Sequence, residues 1–159
     1  IGNGETTVGL VRTGGLVSMV AIGVVFGKIV LRTGQQNLYT LSLAGMGGIM
    51  LAVPLLSTSL APMGAVMFLY GIFYGLLGSL YPLTAATYSS QEQRGVAMAY
   101  VGLYWGIAQI VVPASFGFLA ASFGLENSFW FAGVMFIAFA AAIPILFPYL
   151  TKNHRIAQQ

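Results

Sequence analysis

Long uncharged runs divide the chain into apolar segments. No Asp, Glu, Lys or Arg occurs in residues 13–27, 33–91, 95–125 and 127–151. A helix needs roughly 20 mainly apolar residues to cross a bilayer, so each of the last two runs holds one span. The run at 33–91 holds two spans, because polar residues and a proline interrupt it between 57 and 62. The segments are apolar on all sides, which predicts helices rather than alternating strands. We therefore predict one all-α membrane helix bundle over residues 1–159, with five spans at about 7–28, 38–57, 62–86, 95–122 and 129–150.

The composition excludes the main soluble classes. Charged residues make up 6% of the chain and hydrophobic residues 58%, with a mean hydropathy of +0.88, whereas a soluble domain carries about 25% charged residues. Too few polar groups remain to cover a surface that faces water. The lipid bilayer is therefore the expected partner, and we predict an integral membrane protein.

The same counts argue against several chemistries. A net charge of +3 is too small for a surface that tracks phosphates, so no nucleic-acid partner is expected. The chain contains no cysteine, which excludes disulfide scaffolds and cysteine zinc sites. No phosphate-binding loop, metal-ligand cluster or nucleophile elbow occurs in the sequence. We predict no enzyme activity, no metal site and no cofactor.

The few basic residues predict an orientation. With five helices, the segments 28–37 and 87–94 and the C-terminal tail lie on one side of the membrane. That side holds all but one of the Lys and Arg residues, namely Lys28, Arg32, Arg94, Lys152 and Arg155. Because basic loops stay in the cytoplasm, we predict that the N-terminus and the loop with Glu126 lie outside. The C-terminus is then cytoplasmic, and the expected location is the plasma (inner) membrane.

Polar aromatic side chains fall on two of the predicted helices. Tyr70 and Tyr74 are four residues apart on the third helix, and Tyr104 and Gln109 follow on the fourth. A hydroxyl or an amide in hydrocarbon needs a hydrogen-bond partner. These four side chains are therefore candidates for binding a small-molecule solute in a cavity. Hydrogen bonds between helices, or placement near the headgroups, are the alternative explanation.

Arg12 is the one ionisable side chain clearly inside a predicted span, in its outer third. Ionisable residues in the membrane often face a cavity and mark a function. Guanidinium pairs well with carboxylate or phosphate, so Arg12 is a candidate for binding an anionic group of the solute. The alternative is that its long side chain reaches the outer headgroups.

Small residues recur at four-residue spacing along four of the predicted helices. This spacing lets helix backbones approach each other in lipid. We expect close packing at Gly14, Ser18, Gly23, Gly27, Ala44, Gly48, Ala52, Gly71, Gly75, Gly102 and Gly106.

The segment from Gly27 to Gln36 carries a family resemblance. It resembles the cytoplasmic loop motif of the major facilitator superfamily, Gly-x-Leu-x-Asp-Arg-x-Gly-Arg-Arg, with Gly27, Ile29, Arg32 and Gly34 in register. The Asp of the motif falls on Leu31, and its basic pair falls on two glutamines. The resemblance implies that Gly27, Arg32 and Gly34 form a loop that helps to hold one conformational state.

Later segments resemble the same family in order. The residues 93–97 are similar to the loop before the eleventh helix, and the glycines and proline from Gly106 to Gly124 are similar to that helix. The resemblance implies helices eight to twelve of a twelve-helix fold. Because the chain begins with Ile1, we expect a fragment or a processed product, an incomplete C-terminal half whose N-terminal half is missing.

The resemblance also implies a function. It is secondary active transport of a small solute, a metabolite or a drug, by alternating access. Uptake through a permease and efflux remain equally open, as does the coupling ion. The alternative from the residues alone is a small integral membrane subunit with a structural role and no transport of its own.

Overall fold

The computed structural model describes residues 4–56 and 60–156, and over these residues the chain is a bundle of five α-helices. Each helix contains a segment long and apolar enough to cross a membrane. The all-α membrane bundle predicted from the sequence is therefore confirmed. The helices are α1 Gly4–Thr33, α2 Gln35–Leu56, α3 Leu60–Tyr88, α4 Arg94–Phe123 and α5 Leu125–Ile156.

Two of the predicted loops, one at each end of the bundle, are shorter in the structure than predicted. The segments 28–37 and 123–128 were expected to be loops, yet α1 and α2 are separated by Gly34 alone, and α4 and α5 by Gly124 alone. A helix of 22 residues, the shortest here, is already about 33 Å long, which exceeds the roughly 30 Å of hydrocarbon. The polar ends therefore stay helical beyond the hydrocarbon, and charge alone does not mark a helix end.

The described part of the first candidate span is Arg12–Thr33, and its start near residue 7 stays a prediction. Lys28 and Arg32 belong to the last turns of α1 rather than to a loop.

Gly34 makes the turn from α1 to α2 possible in one residue. Its φ of +81° is a conformation that side chains with a Cβ rarely adopt. Its N–H donates to the Val30 carbonyl at 2.9 Å, and its own carbonyl accepts from the Leu38 N–H at 3.2 Å. The Asn37 side chain donates to the Thr33 carbonyl at 3.0 Å. These bonds pair polar groups at the end of α1 and at the start of α2.

Gly124 repeats this turn between α4 and α5. Its φ is +87°, and its N–H donates to the Ala120 carbonyl at 3.0 Å. The Asn127 side chain donates to the Phe123 carbonyl at 2.8 Å, as Asn37 does in the first turn. Two helix pairs, α1–α2 and α4–α5, are therefore joined by the same local structure.

The helices pack unequally. α2 packs mainly against α5 and α3, and α1 packs mainly against α3, whereas α4 has fewer contacts with α3 and α5. The fully buried Leu38 and Leu80 lie between α2 and α3 in the main core. Within Arg94–Phe123, no residue of α4 is buried, so α4 is the most loosely held helix of the described bundle.

Glycines bring α1 and α3 into close contact. A Cβ on Gly71 would overlap the Gly15 carbonyl oxygen and the Ser18 Oγ, and a Cβ on Gly75 would lie 3.0 Å from the Met19 carbonyl oxygen. The Ser18 hydroxyl donates across the crossing to the Phe68 carbonyl at 2.8 Å. Close packing at Ser18, Gly71 and Gly75 is therefore confirmed.

A second glycine contact joins α2 and α5, but it is not the predicted one. A Cβ on Gly47 would lie 2.9 Å from the Gly133 carbonyl oxygen. Gly48, which was expected to pack, is exposed, and a Cβ added to it would meet nothing within 4 Å. One residue turns a helix by about 100°, so a shift of one position moves the contact to another face. The same lack of neighbours holds for Gly14, Gly23, Gly27, Gly102 and Gly106, where the expectation is wrong for the described chain.

Candidate functional site

Arg12, Tyr70 and Tyr74 meet at one pocket between α1 and α3. The two tyrosines lie one turn apart on α3, with ring centroids 5.5 Å apart and ring planes within 17° of parallel. The pocket has a volume of about 170 Å³, and Gly15 and Met67 lie at its wall where α1 and α3 cross. A cationic side chain thus stands beside two stacked phenol rings.

The helix α4 contacts Tyr74, a wall residue of this pocket, through two side chains on one face. The Gln109 side chain donates to the Tyr74 hydroxyl oxygen across 3.4 Å, which is a long hydrogen bond. Trp105, one turn earlier, places its ring 5.5 Å from the Tyr74 ring at 51°. Tyr74 is therefore one of the residues through which α3 and α4 touch.

Tyr104 lies in a different cavity, between α2, α3 and α4. This cavity has a volume of about 450 Å³, and its wall includes Tyr39, Thr84 and Trp105 as well as Tyr104. The Tyr104 side chain is 68% exposed and its ring stacks on Tyr100 at 6.4 Å. The predicted binding residues thus fall into two places rather than one.

A third cavity, of about 520 Å³, lies between α1, α3 and α4. It shares Met19 with the Arg12 pocket and shares Trp105 and Val101 with the Tyr104 cavity. Its wall is unusually poor in side chains, because Gly23, Gly75, Gly78 and Gly102 contribute to it. We call it the glycine-lined cavity.

Sequence reasoning missed two features of this region. The Tyr39 hydroxyl donates to Thr84 Oγ1 at 2.9 Å, since the Thr84 hydroxyl itself donates to the Leu80 carbonyl at 2.8 Å. Tyr39 stands near a predicted helix start, and nothing in the spacing indicates a partner on α3. Trp105 was not among the predicted binding residues. Its four-residue spacing from Gln109 puts both on one face of α4, but that spacing does not indicate the contact with Tyr74 on α3.

The residues of the loop motif lie at the other end of α1. Gly27 is exposed within the helix, Arg32 is exposed in its last turn, and Gly34 forms the turn to α2. The structure therefore places Arg32 two residues before the turn, whereas Gly27 lies two helical turns before Gly34.

Some residues that support the predicted orientation are not among those that the structure describes. Residues 57–59, where the break between the second and third spans was expected, are not among the described residues. The side chains of Glu5, Lys152, His154 and Arg155 also lie outside the described part. Among the described side chains, Lys28, Arg32 and Arg94 carry the orientation argument.

The structure and its pockets define an integral membrane helix bundle with adjoining cavities of solute size. The family model of the Major Facilitator Superfamily matches residues 1–157. The chain therefore belongs to this superfamily of membrane transporters. Comparisons with curated proteins and with solved structures found no match.

Proposed function

We propose that this chain forms part of the C-terminal half of a secondary active transporter that moves a small solute by alternating access. The observation that carries the proposal is the convergence of α1, α3 and α4 on Tyr74, with Arg12 in the same pocket. Transporters bind solutes near the middle of the membrane, between elements that rock against each other. Seven further helices, the seventh helix and an N-terminal half of six, would complete the site.

The unequal packing of the helices supports the proposal that one wall of the cavities moves. The pairs α1–α3 and α2–α5 are in close contact through glycines, whereas α4 buries none of its own residues within Arg94–Phe123. Its contact with Tyr74 depends on one long hydrogen bond and one ring contact. Among the described helices, α4 is thus the one that can shift with the least loss of the packing seen in this chain.

The residues take the following roles in this proposal. Arg12 pairs with an anionic group of the solute, and Tyr70, Tyr74, Tyr104 and Gln109 offer hydroxyl and amide groups along its path. Gly27, Arg32 and Gly34 form the cytoplasmic loop that holds one state. The five helices correspond to helices eight to twelve, in the plasma membrane with the C-terminus in the cytoplasm.

Alternating access predicts that one cavity position is reached from both sides of the membrane. We choose Val101, because it lines both the Tyr104 cavity and the glycine-lined cavity and because this chain has no cysteine of its own. In the full-length protein, with any cysteine outside this chain replaced by serine, Val101→Cys should react with an impermeant maleimide in right-side-out and in inside-out vesicles. Binding of a transported solute should lower one rate and raise the other.

The matched control is Val134→Cys on α5, a side chain that is 61% exposed on the described bundle and lies outside these cavities. We expect it to face lipid and to react from neither side. Labelling of Val101→Cys from one side only, in every condition, would contradict alternating access. It would favour the structural subunit instead.

A further inference from the structure

The Arg12 pocket is too small to hold a whole solute. Its volume of about 170 Å³ is below the roughly 300 Å³ at which ligand pockets begin. Arg12 is also the only charged side chain among the described residues that line the three adjoining cavities. The pocket is therefore suited to one anionic group at the end of a larger molecule.

The remainder of such a molecule has room in the glycine-lined cavity next to it. This cavity of about 520 Å³ shares Met19 with the Arg12 pocket. Gly23, Gly78 and Gly102 line it, and a Cβ added to any of them would meet nothing within 4 Å. Helix packing in the described bundle does not require glycine there, but side chains would fill the cavity.

An aromatic wall connects the two spaces. Tyr70 stacks on Tyr74, and Tyr74 contacts Trp105, with centroid distances of 5.5 Å at both steps. Trp105 in turn lines the glycine-lined cavity. Aromatic rings favour offset or tilted contacts with other rings at such distances. The glycines in the wall of the same cavity leave room for a ring beside Trp105.

We propose that the solute is an aromatic acid, bound with its acidic group at Arg12 and its ring in the glycine-lined cavity against Trp105. This substrate class rests on the proposed transport function. Arg12 supplies the positive charge that pairs with the acidic group, and it is the charged side chain among the described residues that line these cavities. The wall of two tyrosines and a tryptophan selects the ring.

The test uses matched probes on the purified full-length protein in phosphatidylcholine nanodiscs. Radiolabelled 4-phenylbutyrate and 6-phenylhexanoate, whose chains let the acid and the ring lie in separate cavities, are each compared with the corresponding neutral amide and with the saturated ring analogue. The amide keeps the shape and removes the charge, whereas the saturated acid keeps the charge and removes the π-system. We expect the aromatic acids to bind about 10-fold or more tightly than the amides and about 2- to 10-fold more tightly than the saturated acids.

Variants separate the two parts of the site. Arg12→Gln should weaken binding of the acids about 10-fold or more and leave the amides unchanged, because only the acids form a charge-assisted hydrogen bond. Trp105→Leu should reduce the preference for the aromatic over the saturated acid by about 2- to 10-fold. Gly102→Leu should block both acids by filling the cavity, whereas Gly48→Leu, on an exposed face of α2 outside the cavities, should not.

The outcomes decide between a solute and a lipid headgroup as the source of the anion. Equal affinity of acid and amide, or acid affinity that Arg12→Gln leaves unchanged, would overturn the proposal and assign Arg12 to the headgroups. Acid binding without preference for the aromatic ring, or without an effect of Gly102→Leu, would also overturn it. These results would not affect the labelling experiment on Val101→Cys. Labelling from both sides would still support transport, but of another class of solute.

Discussion

At the scale of single residues, Gly71 has the least room of any glycine in the described chain. A Cβ there would overlap the Gly15 carbonyl oxygen and the Ser18 hydroxyl. Backbone atoms cannot swing aside as the end of a side chain can. We therefore predict that Gly71→Ala lowers the free energy of unfolding of the full-length protein by about 1–3 kcal/mol, measured by detergent-induced unfolding in mixed micelles.

Gly64→Ala on the same helix is the matched control, since a Cβ at Gly64 meets nothing within 4 Å. Both substitutions gain about 1 kcal/mol of helix propensity, so their difference isolates the steric overlap. Equal stability of the two variants would show that α1 and α3 are not in close contact at Gly71.

The sequence predicted which candidate residues share a helix face better than it predicted how the helices meet. Tyr70 and Tyr74 were placed on one face because four residues return a helix to the same side, and their rings do stack. Their meeting with Arg12 depends on how α1 crosses α3, which glycines at the crossing decide. Spacing within one helix cannot predict a crossing between two, and Trp105 was missed for the same reason.

At the scale of elements, the helices were predictable and their ends were not. Uncharged runs located all five spans of the described chain, because hydrocarbon excludes charge. The ends depend on turns, and Gly34 and Gly124 each reverse the chain in one residue. The sequence contains a signal for this turn. Gly34 and Gly124 each precede a polar helix start, and each is followed three residues later by an asparagine.

The two turns allow a test of the loop motif. Gly34 and Gly124 have φ values of +81° and +87°, so valine at either position strains the backbone by about 1–3 kcal/mol. We predict that both Gly34→Val and Gly124→Val lower stability by a similar amount. Only Gly34→Val should reduce the turnover of a transported solute further, because the motif lies at that turn alone. Solute uptake per inserted protein in proteoliposomes measures the difference.

Because the two variants are expected to have similar stability, a difference in their turnover reports on the loop motif. If Gly34→Val and Gly124→Val lose turnover equally, the loss follows from strain and the loop has no special role. Turnover at the wild-type level in Gly34→Val would remove the conformational role of the loop as well.

At the scale of the whole molecule, the remaining question is which way the bundle crosses the membrane. The turn at Gly34 and the link between α3 and α4 lie at the same end, because successive spans run in opposite directions. That end carries Lys28, Arg32 and Arg94, and positive charge is retained in the cytoplasm. Lys28 lies within α1, five residues before its end, but a lysine side chain can extend along the helix to the headgroups.

We therefore predict that Glu126→Cys in the full-length protein reacts with an impermeant thiol reagent added to intact cells. Glu92→Cys, in the link before α4, should react only after the membrane is opened. The two acidic residues are both exposed, so exposure does not favour either one. Labelling in the opposite pattern would invert the bundle and place Arg12 on the cytoplasmic side, where it would meet the solute at release into the cell rather than at entry from outside.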